Sequence, residues 1–452
     1  MKTRKILAML MAIVMMLSML AACGQEAPAE EAAPVATEGG IASVETSPNI
    51  EVSKYAVTEP VTIEYWHSSA EGTPEYDYYV SLCEKFNGSQ DMVTVVPVYA
   101  GDYNGIMTNL GASIQAQEGI PGVCQINVEN LFNAMDIGLM EPLQDYCAAN
   151  DVDTGDFIDA FIDVCTADGN LYALPHATSV AVFLYNKTLL SEHGLDTFPT
   201  TMEEFKTWSK EVYEKTGKKA YICSCNQANI LYNFAVNWGG TLVEEDGTTG
   251  FTNETVQGYV ADLKELHDAG YIEWSNEKTG ALNTMFKNGD VMALNISCTT
   301  YSTLKNNPNN YEIGIGWNYE CADDISSVAG AFAFIPSELK DQNTKNAAFQ
   351  FLQFMTNAEN NFEWAGVSSY MVSHKSVIAD EAKMAALYEK LPEMVKVYNS
   401  TEKFVKKQPT VVYSDIMKVF MTGVAQIIIE NADPAATWAQ IEADMNTRLG
   451  EA

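Results

Sequence analysis

From Val61 onward the chain alternates two periodicities, and that alternation narrows the possible folds more than any other feature. Val61-Thr62-Ile63-Glu64-Tyr65-Trp66 alternates like a strand, and residues 76–86 carry helical spacing. Residues 92–99 read as a second strand and 106–117 as a second helix. Val123-Cys124-Gln125-Ile126, just after Pro121-Gly122, reads as a short buried strand. This order predicts an α/β fold, a mostly parallel sheet with helices on both faces. Ligands of such sheets lie beyond the carboxyl ends of the strands. Here those ends are Trp66-His67-Ser68, Gly101-Asp102-Tyr103 and Asn127-Val128-Glu129, all polar or aromatic.

A second stretch of the same style starts after Asp168-Gly169-Asn170-Leu171-Tyr172-Ala173-Leu174-Pro175, a turn leading into an extended run over 176–185. Helices are expected over 202–216 and 255–269, strands over 291–296 and 331–335, and an apolar helix over 344–355. No internal repeat is visible. The body from Val57 onward is too long for one core, so two α/β lobes joined by more than one crossing segment are expected.

The start of the chain has a different character. Lys2, Arg4 and Lys5 precede an apolar run that is shorter than the ~20 residues of a membrane-spanning helix and ends in Leu20-Ala21-Ala22-Cys23. This resembles a bacterial lipobox. The resemblance implies removal of residues 1–22, acylation of Cys23, and attachment to the outer face of the cytoplasmic membrane, where each buried CH₂ adds ~0.8 kcal/mol. Residues 23–56 read as an acidic flexible tether: from Gly24 to Lys54 there is no aromatic residue, and Pro, Ala, Gly, Ser and Thr dominate. Order is expected from about Val57.

Sixty acidic residues face 26 basic ones, for a formal net charge of −34. Such a surface disfavours nucleic acid and anionic lipid as partners. Arginine occurs only as Arg4 and Arg448. Without the planar guanidinium fork near the strand ends, a neutral ligand is favoured over a phosphate or carboxylate, although lysines could substitute as point charges. The eight cysteines after Cys23 are irregularly spaced, and Cys223-Ser-Cys225 has no histidine beside it to complete a zinc set. They read mostly as buried free thiols, with one long-range disulfide left open. Asp151-x-Asp153-x-Gly155-Asp156 is spaced somewhat like a calcium loop, but Ile162 stands at the twelfth position, so the segment reads as a turn and an acidic helix start. No metal or cofactor is expected.

The motifs in their order carry a resemblance. Tyr65-Trp66-His67-Ser68, the Asp168 to Pro175 run with Tyr185-Asn186-Lys187, Trp238-Gly239-Gly240, Phe286-Lys287-Asn288-Gly289-Asp290-Val291-Met292-Ala293, Ala329-Gly330-Ala331 and Tyr370 resemble the family 1 extracellular solute-binding proteins of ABC importers. The resemblance implies a two-lobe, periplasmic-binding-protein-like fold with a hinge and an interlobe cleft. It places lobe one at 57–177 plus 320–362 and lobe two at 178–319 plus 363–452. It implies ABC permease subunits as partners and a monomeric receptor.

Within that family the pattern is nearest the glycerol-3-phosphate-binding branch, whose cleft positions fall on Tyr103, Thr178, Ser179, Ser297, Cys298, Gly330 and Tyr370. Two positions depart. The acidic residue after the third strand falls on Val128, leaving Asn127 or Glu129 in its place, and the phosphate-contacting arginine falls around Pro409, where no arginine stands. A neutral sugar, oligosaccharide or polyol is therefore expected. Trp66 and Trp238 are expected as flat apolar faces at the cleft, with core packing as the competing reading. Tyr76, Tyr78 and Tyr79 read as a helix surface. Nothing in the chain forms a Gly-x-Ser-x-Gly elbow, a His-Glu-x-x-His helix or a phosphate-binding loop, so the expected function is capture without catalysis. Two alternatives stay open: a secreted carbohydrate-active hydrolase, since acidic pairs are abundant, and a binding module feeding a sensor kinase.

Overall fold

The protein is described by a computed structural model over residues 50–316 and 325–451. Cys23, the signal segment, most of the expected tether and Cys321 lie outside the described residues. Order begins earlier than Val57. Val52–Tyr55 forms a 3₁₀ turn, the Tyr55 ring meets Tyr146 edge-on at 4.7 Å, and Asn346 Nδ2 donates to the carbonyls of Lys54 and Ala56. The tether composition ends in an anchoring aromatic that finds a buried site, which composition alone does not show.

Twelve strands among the described residues organise the body: β1 Val61–His67, β2 Val93–Tyr99, β3 Val123–Asn127, β4 Thr166–Ala167, β5 Asn170–Leu171, β6 Leu174–Asn186, β7 Lys219–Ser224, β8 Ile272–Ser275, β9 Val291–Ser297, β10 Ile313–Gly316, β11 Ser326–Phe334 and β12 Phe404–Val405. β4 and β5 form a small hairpin closed by Asp168 and Gly169, both at positive φ (49° and 75°), as a tight two-residue hairpin turn requires. The main sheet runs β2-β1-β3-β11-β6-β9-β7-β8, with β10 on β6 and β12 on β11. It consists of two parallel blocks, β2-β1-β3 and β9-β7-β8, bridged by β11 and β6 in antiparallel pairing.

β6 explains how one sheet becomes two lobes. At 13 residues it is long enough to belong to both blocks, and every residue is buried. Its first half pairs with β11 as far as Val180, and its second half pairs with β9 from Ala181. β11 carries a register shift between Ala331 and Phe332, and Gly330 just before it stands at φ 98°. The irregularity falls opposite Pro175 and Ala177 of β6, a few residues before β6 changes partner.

Two cores pack against the sheet: one covers the first block and one face of the second, taking in Ile222, Leu294 and Ile296, and the other covers the second block's remaining face. The first is aromatic but polar at its centre. Tyr79, expected on a helix surface, is fully buried, stacks on Trp364 at 4.7 Å and shares hydrogen bonds with Gln125 and His176. His67 and His176 are also fully buried, and burial pushes their rings down to about 4 and about 3, so both are neutral at ordinary pH. The second core is drier, built from Phe183, Phe205, Trp208, Tyr221, Phe234 and Trp238 with the helices Tyr413–Ile428 and Pro434–Leu449 against it.

The chain crosses between the cores again after β12. Helix Ala358–Ser368 places Trp364 in the first core, and residues 377–404 pack both there and on β10, where Lys396 donates to the Ile315 carbonyl and Ile315 N donates to Glu393; Tyr413 lies in the second core. Seven described cysteines are free and buried. No helix among the described residues is long and apolar enough to cross a membrane.

Candidate functional site

Both parallel blocks point their carboxyl ends at the seam, and a cavity of about 430 Å³ opens there. Its floor is Ser179, Val180 and Ala181, the residues at which β6 changes partner. Gly330 forms the adjacent floor, and its conformation is obligatory: a Cβ there would lie 2.1 Å from the Ala177 carbonyl oxygen.

One wall comes from the first block. Asn127 ends β3 and Glu129 stands in the first turn of helix Val128–Asp136. Asn127 Nδ2 donates to Glu129 Oε2 at 2.6 Å while Asn127 Oδ1 accepts from Asn130 at 2.7 Å, so the carboxylate is held in place at the cavity. Tyr103, which opens helix Tyr103–Ala116, meets Tyr370 hydroxyl to hydroxyl at 3.4 Å. Burial raises both hydroxyls above their ordinary range, which keeps them protonated as donors. The Tyr370 ring stacks on Trp364 at 5.7 Å.

The opposite wall comes from the second block. Ser297 ends β9 and lies 3.0 Å from Thr299 Oγ1. Asn226, Gln227 and Asn229 follow β7 at the start of helix Ala228–Asn237, with Thr279 and Thr300 completing the wall. The structure thus brings Tyr103, Asn127, Glu129, Ser179, Ser297, Gly330 and Tyr370 around one cavity. The amides of the second block were absent from the sequence expectation. The signal that would have found them is the rule applied to the first block, polar residues after a buried strand.

Four expected residues stand elsewhere, the first being Cys298, which is fully buried with its thiol 4.0 Å from the Ser369 carbonyl. Thr178 is fully buried behind the floor: its carbonyl accepts from Met371 N at 2.8 Å and its hydroxyl meets Ser373 at 3.0 Å, so it fixes the segment that carries Tyr370. Trp66 is packed in the first core, with Nε1 donating to Glu64 at 2.8 Å. Trp238 is 2% exposed and sandwiched between Phe234 and Tyr259, with centroids at 5.1 Å on both sides. Its motif is a helix terminator: Gly239 takes φ 74°, and Gly240 N returns to the Ala235 carbonyl at 2.8 Å. The two glycines beside Trp238 end helix Ala228–Asn237.

Comparison with known proteins agrees with this geometry. The profile of the bacterial extracellular solute-binding proteins matches residues 81–395. The sn-glycerol-3-phosphate-binding periplasmic protein UgpB of Salmonella typhimurium is 25% identical over 331 residues, covering 69% of this chain and 74% of the relative. Among solved structures, UgpB from Mycobacterium tuberculosis in complex with glycerophosphocholine superposes with a TM-score of 0.77 at 20% identity, covering 87% of this chain and 99% of that one. The cyclic α-maltosyl-1,6-maltose binding protein from Arthrobacter globiformis gives 0.74 at 20% identity, covering 87% of this chain and 100% of that one. With the profile spanning most of the body, and the walls of the cavity coming from both blocks, the chain belongs to the bacterial extracellular solute-binding proteins and has their two-lobe fold.

Proposed function

We propose that this protein captures a neutral sugar, oligosaccharide or polyol between its lobes and delivers it to the permease of an ABC transporter, held by acylated Cys23 on the outer face of the cytoplasmic membrane. Lobe one is 57–177 plus 320–362, and lobe two is 178–319 plus 363–452. The observation that carries the reading is that the cavity takes its wall residues from both parallel blocks, Tyr103 and Glu129 on one side, Asn226 and Ser297 on the other. A ligand touching both walls gains contacts only when they approach, so binding shifts the population toward the closed state. Its volume lies within the ~300–1,000 Å³ of small-molecule sites.

The neutral class rests on the lining. Arg448 sits at the end of helix Pro434–Leu449, paired with Glu451 at 3.1 Å, and the lining carries a carboxylate. No covalent step is part of the reading. Calorimetry and thermal shift against mono- and oligosaccharides, polyols, glycerol phosphates and glycerophosphocholine test it. The expected result is saturable binding of a neutral member without product over hours. Tight binding of a glycerol phosphate with no neutral ligand would reverse the class, and steady product formation would favour the hydrolase. Cys23→Ala is expected to release the protein from membranes in fractionation, and a mutant that stays bound through detergent-free washing would remove the anchor.

A further inference from the structure

Lys407 has no exposed surface, although nothing in its sequence surroundings marks it. A cation without water must be stabilised by fixed dipoles and ring faces. Nζ donates to Asn229 Oδ1 at 2.7 Å, lies 3.5 Å from Ser327 Oγ, and sits 4.7 Å from the Tyr232 ring centre and 5.9 Å from that of Tyr413. Asn229 and Tyr232 belong to helix Ala228–Asn237, Ser327 to the bridging strand β11, and Tyr413 to helix Tyr413–Ile428. The titratable groups facing the ammonium are therefore Tyr232, Tyr413 and, from helix Val128–Asp136, Glu129. Burial brings the lysine down to about 8, against the pull of Glu129.

The consequence falls on Asn229. An ammonium has donors and no acceptor, so the amide can face it only with its oxygen. Nδ2, on the other branch of the planar amide, has no hydrogen bond to another described residue, and Asn229 lines the cavity. Without Lys407 the amide could turn either end to a ligand at similar cost. We propose that Lys407 is a positioning residue that locks the Asn229 amide with its N–H₂ toward the cavity, so that the ligand must offer an acceptor oxygen, such as a ring or glycosidic ether, at that point. This rests on the cavity being the ligand site, as proposed above.

Two measurements on the full-length protein test it. In the ligand-free protein, the Asn229 side-chain amide resonance, identified by its loss in Asn229→Ala, should titrate with Lys407 between about pH 6 and 11, a window that spans both its burial-lowered value and the ordinary lysine range, and stay flat in Lys407→Met. A wild-type resonance that does not move overturns the proposal, and this arm stands even where Lys407→Met fails to fold. In calorimetry with maltose and sn-glycerol-3-phosphate as probes, Asn229→Ala and Lys407→Met should each weaken binding about tenfold, with the double variant no worse than either. Lys407→Arg should retain more affinity than Lys407→Met. A roughly hundredfold loss in the double variant means that Lys407 acts independently of Asn229 and overturns the proposal. If neither probe binds while the amide follows Lys407, the positioning stands and maltose and sn-glycerol-3-phosphate are excluded as ligands.

Discussion

The two parallel blocks share a plan and differ in what lies beneath their walls. In each, a central strand is flanked by parallel neighbours whose carboxyl ends meet the cavity. Under the first wall lies a polar aromatic network in which Tyr79 joins Gln125 and His176. Under the second lies an aromatic stack, Phe234, Trp238 and Tyr259, in which no ionisable side chain takes part apart from a tyrosine. A hydrogen-bonded core holds its wall by direction, and a dry one holds it by packing. The same fold therefore gives two walls that should fail for different reasons.

The seam between them should fail first. Gly330→Val forces a β-branched side chain into φ 98° and against the Ala177 carbonyl, and should cost about 4 kcal/mol or more from backbone strain and overpacking together. Because β6 and β11 belong to both blocks, denaturation should show both losing structure together. A variant within about 1 kcal/mol of wild type would mean that the seam can relax and that the blocks are less tightly joined than their shared strands imply.

Next in size, Trp238→Ala should cost about 3–5 kcal/mol of stability by emptying the stack of the second core. Ligand affinity, measured well below the melting transition, should change less than stability does. The reverse pattern would return the ring to the cleft.

The first block has its own weakness, acid. His67 and His176 are held neutral by burial, with folded values of about 4 and about 3 against an ordinary 6.5. Between those values the unfolded chain binds more protons than the folded one, so their contribution to stability is present above about 6.5 and is lost as pH falls toward 4 and 3. The loss should amount to roughly 1–3 kcal/mol, and His67→Gln should flatten the stability profile over that window. An unchanged profile in the variant would mean that His67 does not titrate with unfolding.

Much of the first block was legible because its strands alternate. β1, β2 and β3 begin and end within about a residue of their expected limits, and helix Met202–Thr216 matches its expectation. β7 was not visible: Lys219-Ala220-Tyr221-Ile222-Cys223-Ser224 is buried on both faces and shows no period. With the strand unseen, Asn226, Gln227 and Asn229 had no strand end to mark them. Trp238 misled for the opposite reason, since glycines beside an aromatic fit a cleft rim as well as a helix terminus. Lys407 lies outside any local pattern, because its burial is made by a helix, a strand and a second helix brought together only by the fold.

The smallest expected effect is also the most direct comparison of the walls. Tyr370→Phe removes a hydroxyl from the first wall but leaves the ring on Trp364, so the wall keeps its shape and loses one hydrogen-bonding group. Ser297→Ala does the same to the second wall, where Thr299 remains as a neighbouring hydroxyl. Each should weaken binding of the ligand found by screening by about 0.5–1.5 kcal/mol, with stability nearly unchanged because both groups are only partly buried. Tyr370→Phe should fall at the upper end: its partner Tyr103 is left with one contact fewer in a region where burial already penalises a lost bond. Ser297→Ala should fall at the lower end, since Thr299 can turn to the ligand in its place. A ligand unaffected by both variants bonds neither hydroxyl, and the walls would then have to draw together on it through their amides and the Glu129 carboxylate alone.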